Sequence, residues 1–129
     1  LSVAVRDGEA PVRHLGVLGL DASAMNQKDP VTEGLSNINL ATAGHLTQIK
    51  GSSVSFEPLL FSSDQAELMP VSRFLALQDP ATLLDGFHPS KVRYTLAARI
   101  GGNIKTAFPG GLPQGATLAR GTTLLTHSI

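Results

Sequence analysis

Residues 92–108 read VRYTLAARIGGNIKTAF, and this stretch has the clearest periodicity in the chain. Apolar side chains stand at alternate positions over much of Val92 to Ile100, with polar or small side chains between them. Because successive side chains of a β-strand point to opposite faces, a period of two predicts a strand with one core face and one polar face. Gly101-Gly102-Asn103 is typical of a hairpin turn, so a second strand is expected over residues 104–108. The stretch therefore predicts a β-hairpin.

A second hairpin is predicted over residues 1–20. Apolar residues alternate with others from Leu1 to Val5, and residues 7–11 supply Asp, Gly and Pro for a turn. From Val12 to Leu20 both alternating sets of side chains contain apolar residues, which is typical of a central strand covered on both faces. We therefore expect a sheet with layers on both sides.

Two short helices are predicted from matching cap residues. Asp29-Pro30 offers a capping carboxylate followed by a proline suited to the first helical position, and Gly34 suits the helix end. Asp79-Pro80 and Gly86 repeat this arrangement about fifty residues later. Each segment is expected to form a short helix.

The remaining segments predict further strands. Residues 46–50 and 54–61 are strand candidates, with Pro58 expected to end regular pairing in the second, and residues 122–126 predict a weak final strand. Residues 69–76 fit either a strand or a loop. Strands dominate the prediction, and no long helix is expected.

The composition limits the chemistry that this chain can perform. A chain of 129 residues with no net charge and 42% hydrophobic residues suits a single folded domain. It contains no Cys, which excludes disulfides, thiolate nucleophiles and cysteine-ligated metals within it. No apolar run approaches the roughly 18 residues of a membrane-spanning helix. Since the sequence begins at Leu1 without Met, we interpret it as a piece of a longer protein whose targeting and anchoring segments lie outside it.

Histidines and one serine pair are the candidates for metal binding and catalysis. The four His lie more than thirty residues apart without metal-site spacing, so neither a metal nor a cofactor is expected. Ser62 and Ser63 follow a predicted strand, where a hydroxyl could serve as a nucleophile, although Ser-Ser-Asp more often caps the next segment. The His are His14, His45, His88 and His127.

Charge is divided unevenly along the chain. Residues 86–129 contain five cations and no Asp or Glu, whereas residues 1–85 contain all ten acidic residues and five cations. Either the halves neutralise each other within the fold, or a cationic face meets an anionic ligand, a lipid headgroup or a partner. The balanced total and few aromatic residues disfavour nucleic acid as a partner. The candidate ligand or partner surface comprises Arg93, Arg99, Lys105, Ser62 and Ser63.

Three stretches resemble one protein family. Residues 28–40, KDPVTEGLSNINL, followed by Ala43-Gly44, resemble its "(H/D)-P-(I/V)-T-x-G-L…(I/V)-N-L…A-G" segment, and residues 56–63, FEPLLFSS, resemble "(V/F)-x-P-L-L-x-(T/S)-S". Residues 94–109, YTLAARIGGNIKTAFP, resemble "Y-x-L-A-A-R-(I/L)-x-G-x-(I/V)-K-(T/S)-A-F-P". Their order and spacing are similar to those of the auxiliary components of gliding-motility-type (GldG-like) ABC transporters.

The resemblance implies an α/β fold and a role in transport. In such families the fold is a strand-rich, Rossmann-like sheet with short helices, akin to class I glutamine amidotransferases without the catalytic Cys, and this chain would carry a truncated part of it. Residues 1–129 would form a single extracytoplasmic auxiliary domain, periplasmic in location and membrane-anchored through segments outside this chain. Its implied partners are the permease and ATPase subunits of the same system, with an unidentified small-molecule, lipid or glycan ligand.

The resemblance supplies no catalytic residue, so the function expected is non-catalytic substrate binding or partner docking. Two alternatives stay open. One is a serine-dependent hydrolase of a glycan or ester, acting through Ser62 or Ser63 with a His brought near by folding. The other is a purely structural assembly module, for which a flat apolar interface without a ligand-sized pocket is expected.

Overall fold

A computed structural model describes residues 2–3, 11–75, 77–103 and 110–111. The chain divides into two compact units. Unit 1 consists of Leu1–Thr47 and Pro58–Ala98, and unit 2 consists of Gln48–Glu57 and Arg99–Ile129. The predicted second strand at 104–108 and the predicted final strand at 122–126 lie outside the described residues.

The first predicted hairpin is confirmed in its strand pairing. Strand β1 (Ser2–Val3) pairs antiparallel with β2 (Val12–Arg13), with Ser2 opposite Arg13. The prediction of one continuous strand from Val12 to Leu20 is wrong. The Gly16 N–H donates to His14 Nδ1 at 3.0 Å and the Val17 N–H donates to the His14 carbonyl at 3.1 Å, which closes a turn between β2 and the next strand.

That next strand pairs with a strand that was not predicted. Strand β3 (Val17–Asp21) lies antiparallel to β4 (Asn37–Ala41), with Gly19 opposite Asn39. Ile38 and Leu40 of β4 are half-buried while their neighbours are exposed. The two strands are joined through a short 3₁₀ helix at Ala22–Ala24 and a helical turn.

The predicted cap at Asp29 is confirmed. Its carboxylate accepts the Val31 N–H at 3.0 Å, and its carbonyl accepts the Glu33 N–H at 2.7 Å, as in one turn of α-helix. Gly34 follows with φ of +75°, a conformation that favours glycine and ends the turn. Thr32 is buried and donates its hydroxyl to the Asn26 carbonyl at 2.6 Å, so this motif has a structural role.

Strand β5 (Ser55–Phe61) pairs with β6 (Thr95–Gly101). The strand predicted at 54–61 is thus confirmed, but Pro58 lies inside β5 rather than ending its pairing. A proline removes only its own ladder N–H, and Asn26 hydrogen-bonds the carbonyls of both Pro58 and Leu59.

Two predicted boundaries differ from the structure. Strand β6 begins at Thr95 rather than Val92, because the Tyr94 N–H donates to the Ser62 hydroxyl at 2.8 Å instead of to a neighbouring strand. The strand predicted at 46–50 is wrong, since Ile49 is 80% exposed and its carbonyl accepts the Ser52 N–H in a turn. No long helix covers the described part of 92–108.

The second predicted helix is confirmed as a 3₁₀ helix, Pro80–Leu84. Asp79 caps it by accepting the Ala81 N–H at 2.9 Å. The prediction of a strand or a loop over 69–76 is wrong, because the Leu75 N–H donates to the Val71 carbonyl at 3.1 Å and closes the short helix α1 (Ser72–Leu75). Arg73 of α1 donates to the carbonyls of Thr82 and Asp85, so it ties α1 to the end of the 3₁₀ helix.

The core lies in unit 1 and is small. Four buried side chains form its centre, and half-buried side chains from β3, β4 and β6 pack against them. The architecture is strand-rich with few short helices, which agrees with the α/β class. Within the described residues no helix has the length and apolar character needed to cross a bilayer. The four central side chains are Leu20, Met25, Leu59 and Leu60.

The described part of unit 2 includes the turn before β5 and the turn after β6. Gly51 has φ of +81° in the turn before β5, and Gln48 donates its side-chain amide to the Val54 carbonyl at 2.8 Å. Gly102 follows β6 with φ of +109°. This left-handed conformation agrees with the predicted turn at 101–103.

Candidate functional site

Unit 1 contains a groove of about 1160 Å³. Three segments form most of its wall, residues 13–21, 42–45 and 62–69, and further side chains come from α1 and from the segment before β6. Leu, Val, Met and Phe side chains supply much of the surface. The groove is therefore mostly apolar, with polar groups at defined places.

The first wall is built on the turn between β2 and β3. Gly16 is buried in this turn, and the space around it excludes a side chain. A Cβ at this position would lie 2.7 Å from Phe74 Cε1 and 3.1 Å from His14 Cε1. At the other end of β3, Asp21 accepts the Ser23 N–H at 2.9 Å and also the Ser23 hydroxyl. The Ser23 hydroxyl bond, reinforced by the backbone bond, lowers the pKa of Asp21 below its ordinary value.

The second wall carries an unusual backbone conformation. Thr42 has φ of +49°, which is rare for a β-branched residue, and its N–H donates to the Gly16 carbonyl at 2.6 Å. His45 lies edge-on to Tyr94, with ring centroids 5.5 Å apart. The Leu46 N–H donates to the Thr95 carbonyl at 2.8 Å. These contacts hold residues 42–46 beside the start of β6.

The third wall is tied to residues 88–94 by a row of hydrogen bonds. Ala66 accepts both the N–H and the hydroxyl of Ser90, and Glu67 accepts the His88 N–H at 2.8 Å. Lys91 Nζ donates to Gln65 Oε1 at 3.0 Å. The loop after β5 is thus held in place on the groove by several independent contacts.

The predicted site residues Ser62 and Ser63 lie in this wall. Ser62 is buried, its hydroxyl donates to the Ser63 carbonyl at 2.8 Å, and it accepts the Tyr94 N–H. The Ser62 N–H in turn donates to the Tyr94 carbonyl at 2.9 Å. Ser63 is exposed, and its hydroxyl accepts the Gln65 N–H at 3.2 Å. Both hydroxyls therefore stabilise local backbone.

Arg93 also lies on the groove, but it precedes β6 instead of belonging to it. Its guanidinium donates to the carbonyls of Ser62 at 3.2 Å and Ser23 at 3.1 Å, and lies 5.1 Å from the centre of the Phe61 ring. Arg99 is exposed in unit 2. Lys105 lies outside the described residues, so the predicted cationic face of Arg93, Arg99 and Lys105 stays a prediction.

The described histidines do not complete a catalytic pair with either serine. His14 accepts the Gly16 N–H, His45 contacts Tyr94, and His88 is bonded through its backbone. In the part of the chain that the structure describes, neither Ser62 nor Ser63 has an imidazole hydrogen-bond partner, and no group of three His, Asp or Glu is placed to hold a metal. His127 lies outside that part.

Comparison with known families agrees with the sequence motifs. A family model described as an ABC-type uncharacterized transport system matches residues 1–125. The chain belongs to this family of auxiliary components. No match was found to a curated protein or to a solved structure. The family confirms the resemblance of the three motifs to ABC transport auxiliary components, and it associates the chain with a transport system.

Several groove residues were not predicted from the sequence. His14 and His45 were considered as metal ligands or as a catalytic partner of Ser62 or Ser63, not as parts of a groove wall, and the conformation of Thr42 carries no sequence signal because threonine is not typical of positive φ. Gly19 does carry a signal. A single glycine between the leucines of an apolar strand suggests a close approach by another backbone.

Proposed function

We propose that this chain is a non-catalytic auxiliary module of its ABC-type transport system, acting outside the cytoplasmic membrane, and that the groove of unit 1 is its binding site. The family association supports a role in transport. The motif resemblance supports a Rossmann-like arrangement, a gliding-motility-type system, and a permease and an ATPase as partners.

The groove is the observation that carries the proposal. Pockets for small ligands are typically about 300–1000 Å³, so a groove of about 1160 Å³ is large enough for a ligand or for a segment of a partner. A purely structural assembly module is expected to present a flat interface instead. The hydrogen bonds of the Ser62 hydroxyl favour binding over hydrolysis, because they engage both its proton and a lone pair.

The proposal is tested by filling the groove in the whole natural protein. Gly44 lines the groove, is exposed, and has open space around a Cβ, so Gly44→Trp adds bulk without an immediate clash. Ser36→Trp is the matched control, since Ser36 is equally exposed in unit 1 but does not line the groove. The measurement is co-purification of the permease and ATPase subunits, together with ATP hydrolysis by the assembled system in vesicles.

We expect Gly44→Trp to reduce subunit retention or ATP hydrolysis by about tenfold. A tenfold loss of affinity corresponds to about 1.4 kcal/mol of binding free energy. Ser36→Trp is expected to behave like the unaltered protein. If both variants retain the subunits and hydrolyse ATP equally well, the groove is not the binding site and the proposal is wrong.

A further inference from the structure

The ring of His14 holds the backbone of the first groove wall. His14 is half-buried and lines the groove, and its Nδ1 accepts the Gly16 N–H at 3.0 Å. The ring also lies beside Gly16, since a Cβ built there would be 3.1 Å from His14 Cε1 and 3.3 Å from Nδ1. An imidazole nitrogen accepts a hydrogen bond only while it carries no proton. This form of the turn between β2 and β3 therefore requires a neutral His14 with its proton on Nε2.

Gly16 connects this ring to the second wall and to α1. Its N–H donates to His14, and its carbonyl accepts the Thr42 N–H at 2.6 Å. Thr42 has φ of +49°, a conformation that costs free energy and persists only where the surrounding contacts maintain it. Phe74 of α1 packs so closely on Gly16 that a Cβ would lie 2.7 Å from its ring. A displacement of Gly16 would therefore alter the contacts of both neighbouring segments.

Protonation reverses the role of Nδ1. In the imidazolium form both ring nitrogens carry protons, so Nδ1 and the Gly16 N–H become two donors that face each other. Histidine ordinarily changes its charge between about pH 5 and 8. The bond is therefore present at the upper end of this range and is lost as the pH falls through it.

We infer that His14 is a pH-sensitive positioning residue of the groove: its neutral ring fixes the first wall against the second, and its protonation in acid releases Gly16 and weakens binding. The inference rests on the proposed function and gives the regulation of that same site. Every bond on which it depends joins residues of unit 1.

Other titratable and charged groups lie on the elements around His14. Asp and Glu ordinarily titrate below the histidine range and Lys and Arg above it, so another histidine is the competing source of a response at the same pH. His45 is such a residue, because it lies in the second wall, where its ring contacts Tyr94. The charged groups are Arg13 next to His14 in the chain, Arg73 on α1, Asp79 and Asp85 at the ends of the 3₁₀ helix beside β2, and the lining carboxylates Asp21, Asp64 and Glu67.

His14→Asn separates protonation from structure. An Asn side-chain oxygen accepts the N–H two residues further on without titrating, and Asn26 makes this bond to the Lys28 N–H at 3.1 Å in the same chain. The variant should therefore keep the turn at both ends of the pH range. His88→Asn is the matched control, because His88 is exposed and its described hydrogen bond is made by its backbone N–H.

The first measurement is amide hydrogen exchange in the whole natural protein, followed by mass spectrometry at about pH 7.5 and about pH 5.5, near the two ends of the histidine range. Comparing the proteins at the same pH cancels the intrinsic pH dependence of exchange. At the higher pH we expect the segment containing Gly16 to exchange within about twofold in all three proteins. At the lower pH the unaltered protein and His88→Asn should exchange about fivefold faster than His14→Asn, the change expected for one hydrogen bond.

The second measurement is retention of the permease and ATPase subunits by the same three proteins at both pH values. Dividing each retention by that of His14→Asn at the same pH removes the pH response of the subunits themselves. For the unaltered protein and for His88→Asn, we expect this ratio to be about one at the higher pH and to fall about fivefold at the lower pH.

Three results of the exchange measurement would overturn the inference. The first is equal exchange by the unaltered protein and His14→Asn at the lower pH. The second is fast exchange by His14→Asn at the higher pH, which would show that an acceptor at this position does not hold the turn. The third is a pH response that persists in His14→Asn and disappears in His45→Phe, which would assign the response to His45.

The retention measurement distinguishes this inference from the proposed function. If Gly44→Trp disrupts the transport complex while retention by the unaltered protein and by His14→Asn responds equally to pH, the regulation is wrong and the proposed function stands. If exchange depends on His14 as expected but Gly44→Trp retains the subunits and ATP hydrolysis, the proposed function fails, and the inference that this ring regulates binding fails with it.

Discussion

Ser62 connects the end of β5 to the segment that leads into β6. Its hydroxyl is buried, donates to the Ser63 carbonyl and accepts the Tyr94 N–H. Replacing Ser62 with Ala removes both bonds and leaves the half-buried Tyr94 N–H without this partner. We expect Ser62→Ala to lower the free energy of unfolding by about 1–3 kcal/mol, as measured by chemical denaturation.

Ser63→Ala is the control, because Ser63 is exposed and its hydroxyl accepts one local N–H. We expect Ser63→Ala to lower the free energy of unfolding by about 0.5 kcal/mol. The hydrolase hypothesis predicts a different result: reaction of the folded protein with a fluorophosphonate probe, lost on replacement of one serine. Labelling that depends on Ser62 or Ser63 would contradict the structural role assigned to these hydroxyls.

At the scale of single residues, hydrogen bonds between residues close in sequence were predictable, and hydrogen bonds between distant residues were not. The caps at Asp29 and Asp79 were predicted because a carboxylate, a proline and a following glycine act within a few residues. The bonds of Arg93 to Ser62 and Ser23 join residues 31 and 70 positions apart. Sequence periodicity contains no information about such separations.

The turn between β2 and β3 positions one wall of the groove, and Gly16 is the residue that permits it. A Cβ at Gly16 would lie 2.7 Å from Phe74 Cε1, so Gly16→Ala must displace the Phe74 ring or the turn. We expect a loss of about 1–3 kcal/mol in the free energy of unfolding, the usual cost of overpacking. Phe74→Leu combined with Gly16→Ala should recover part of this loss, because the clashing ring is absent.

Gly44→Ala provides the matched control for this element. Gly44 also lines the groove, but nothing lies within 4 Å of a Cβ placed there. Its replacement is expected to be neutral or to stabilise by about 0.4–1 kcal/mol through the unfolded state. Equal destabilisation by Gly16→Ala and Gly44→Ala would show that the contact with Phe74 is not the cause.

At the scale of elements, strands with a continuous run of apolar residues were predicted from the sequence. Strands that depend on pairing with a distant segment were missed. Strand β5 was predicted from its apolar run, whereas β4 was missed because Asn37 and Asn39 are not typical strand residues. The break in 12–20 depends on a bond from the Gly16 N–H to the His14 ring. A side chain that replaces a strand partner in this way is not visible in a period-two pattern.

Two cations of the basic sequence segment have uncharged hydrogen-bond partners. Lys91 donates to the side-chain carbonyl of Gln65, and Arg93 donates to two backbone carbonyls. These two cations are therefore positioned by hydrogen bonds to uncharged oxygens. The prediction that Arg99 and Lys105 meet an anionic partner concerns unit 2 and residues outside the described part.

Location is the property of the whole molecule that most directly tests the proposed function. Because the chain contains no Cys, one introduced thiol reports on a single position. Lys28 is exposed and Leu83 is 1% exposed, so Lys28→Cys and Leu83→Cys form a matched pair. Both are made in the whole natural protein, with any Cys outside this chain replaced by Ser, and treated in intact cells with a membrane-impermeant maleimide.

If the module acts outside the cytoplasmic membrane, Lys28→Cys will be labelled before lysis, whereas Leu83→Cys will be labelled only after denaturation, since a buried thiol is inaccessible in the folded state. Labelling of Lys28→Cys only after the membrane is disrupted would place the module on the cytoplasmic side and contradict the proposed function, and early labelling of Leu83→Cys would show that the fold had opened.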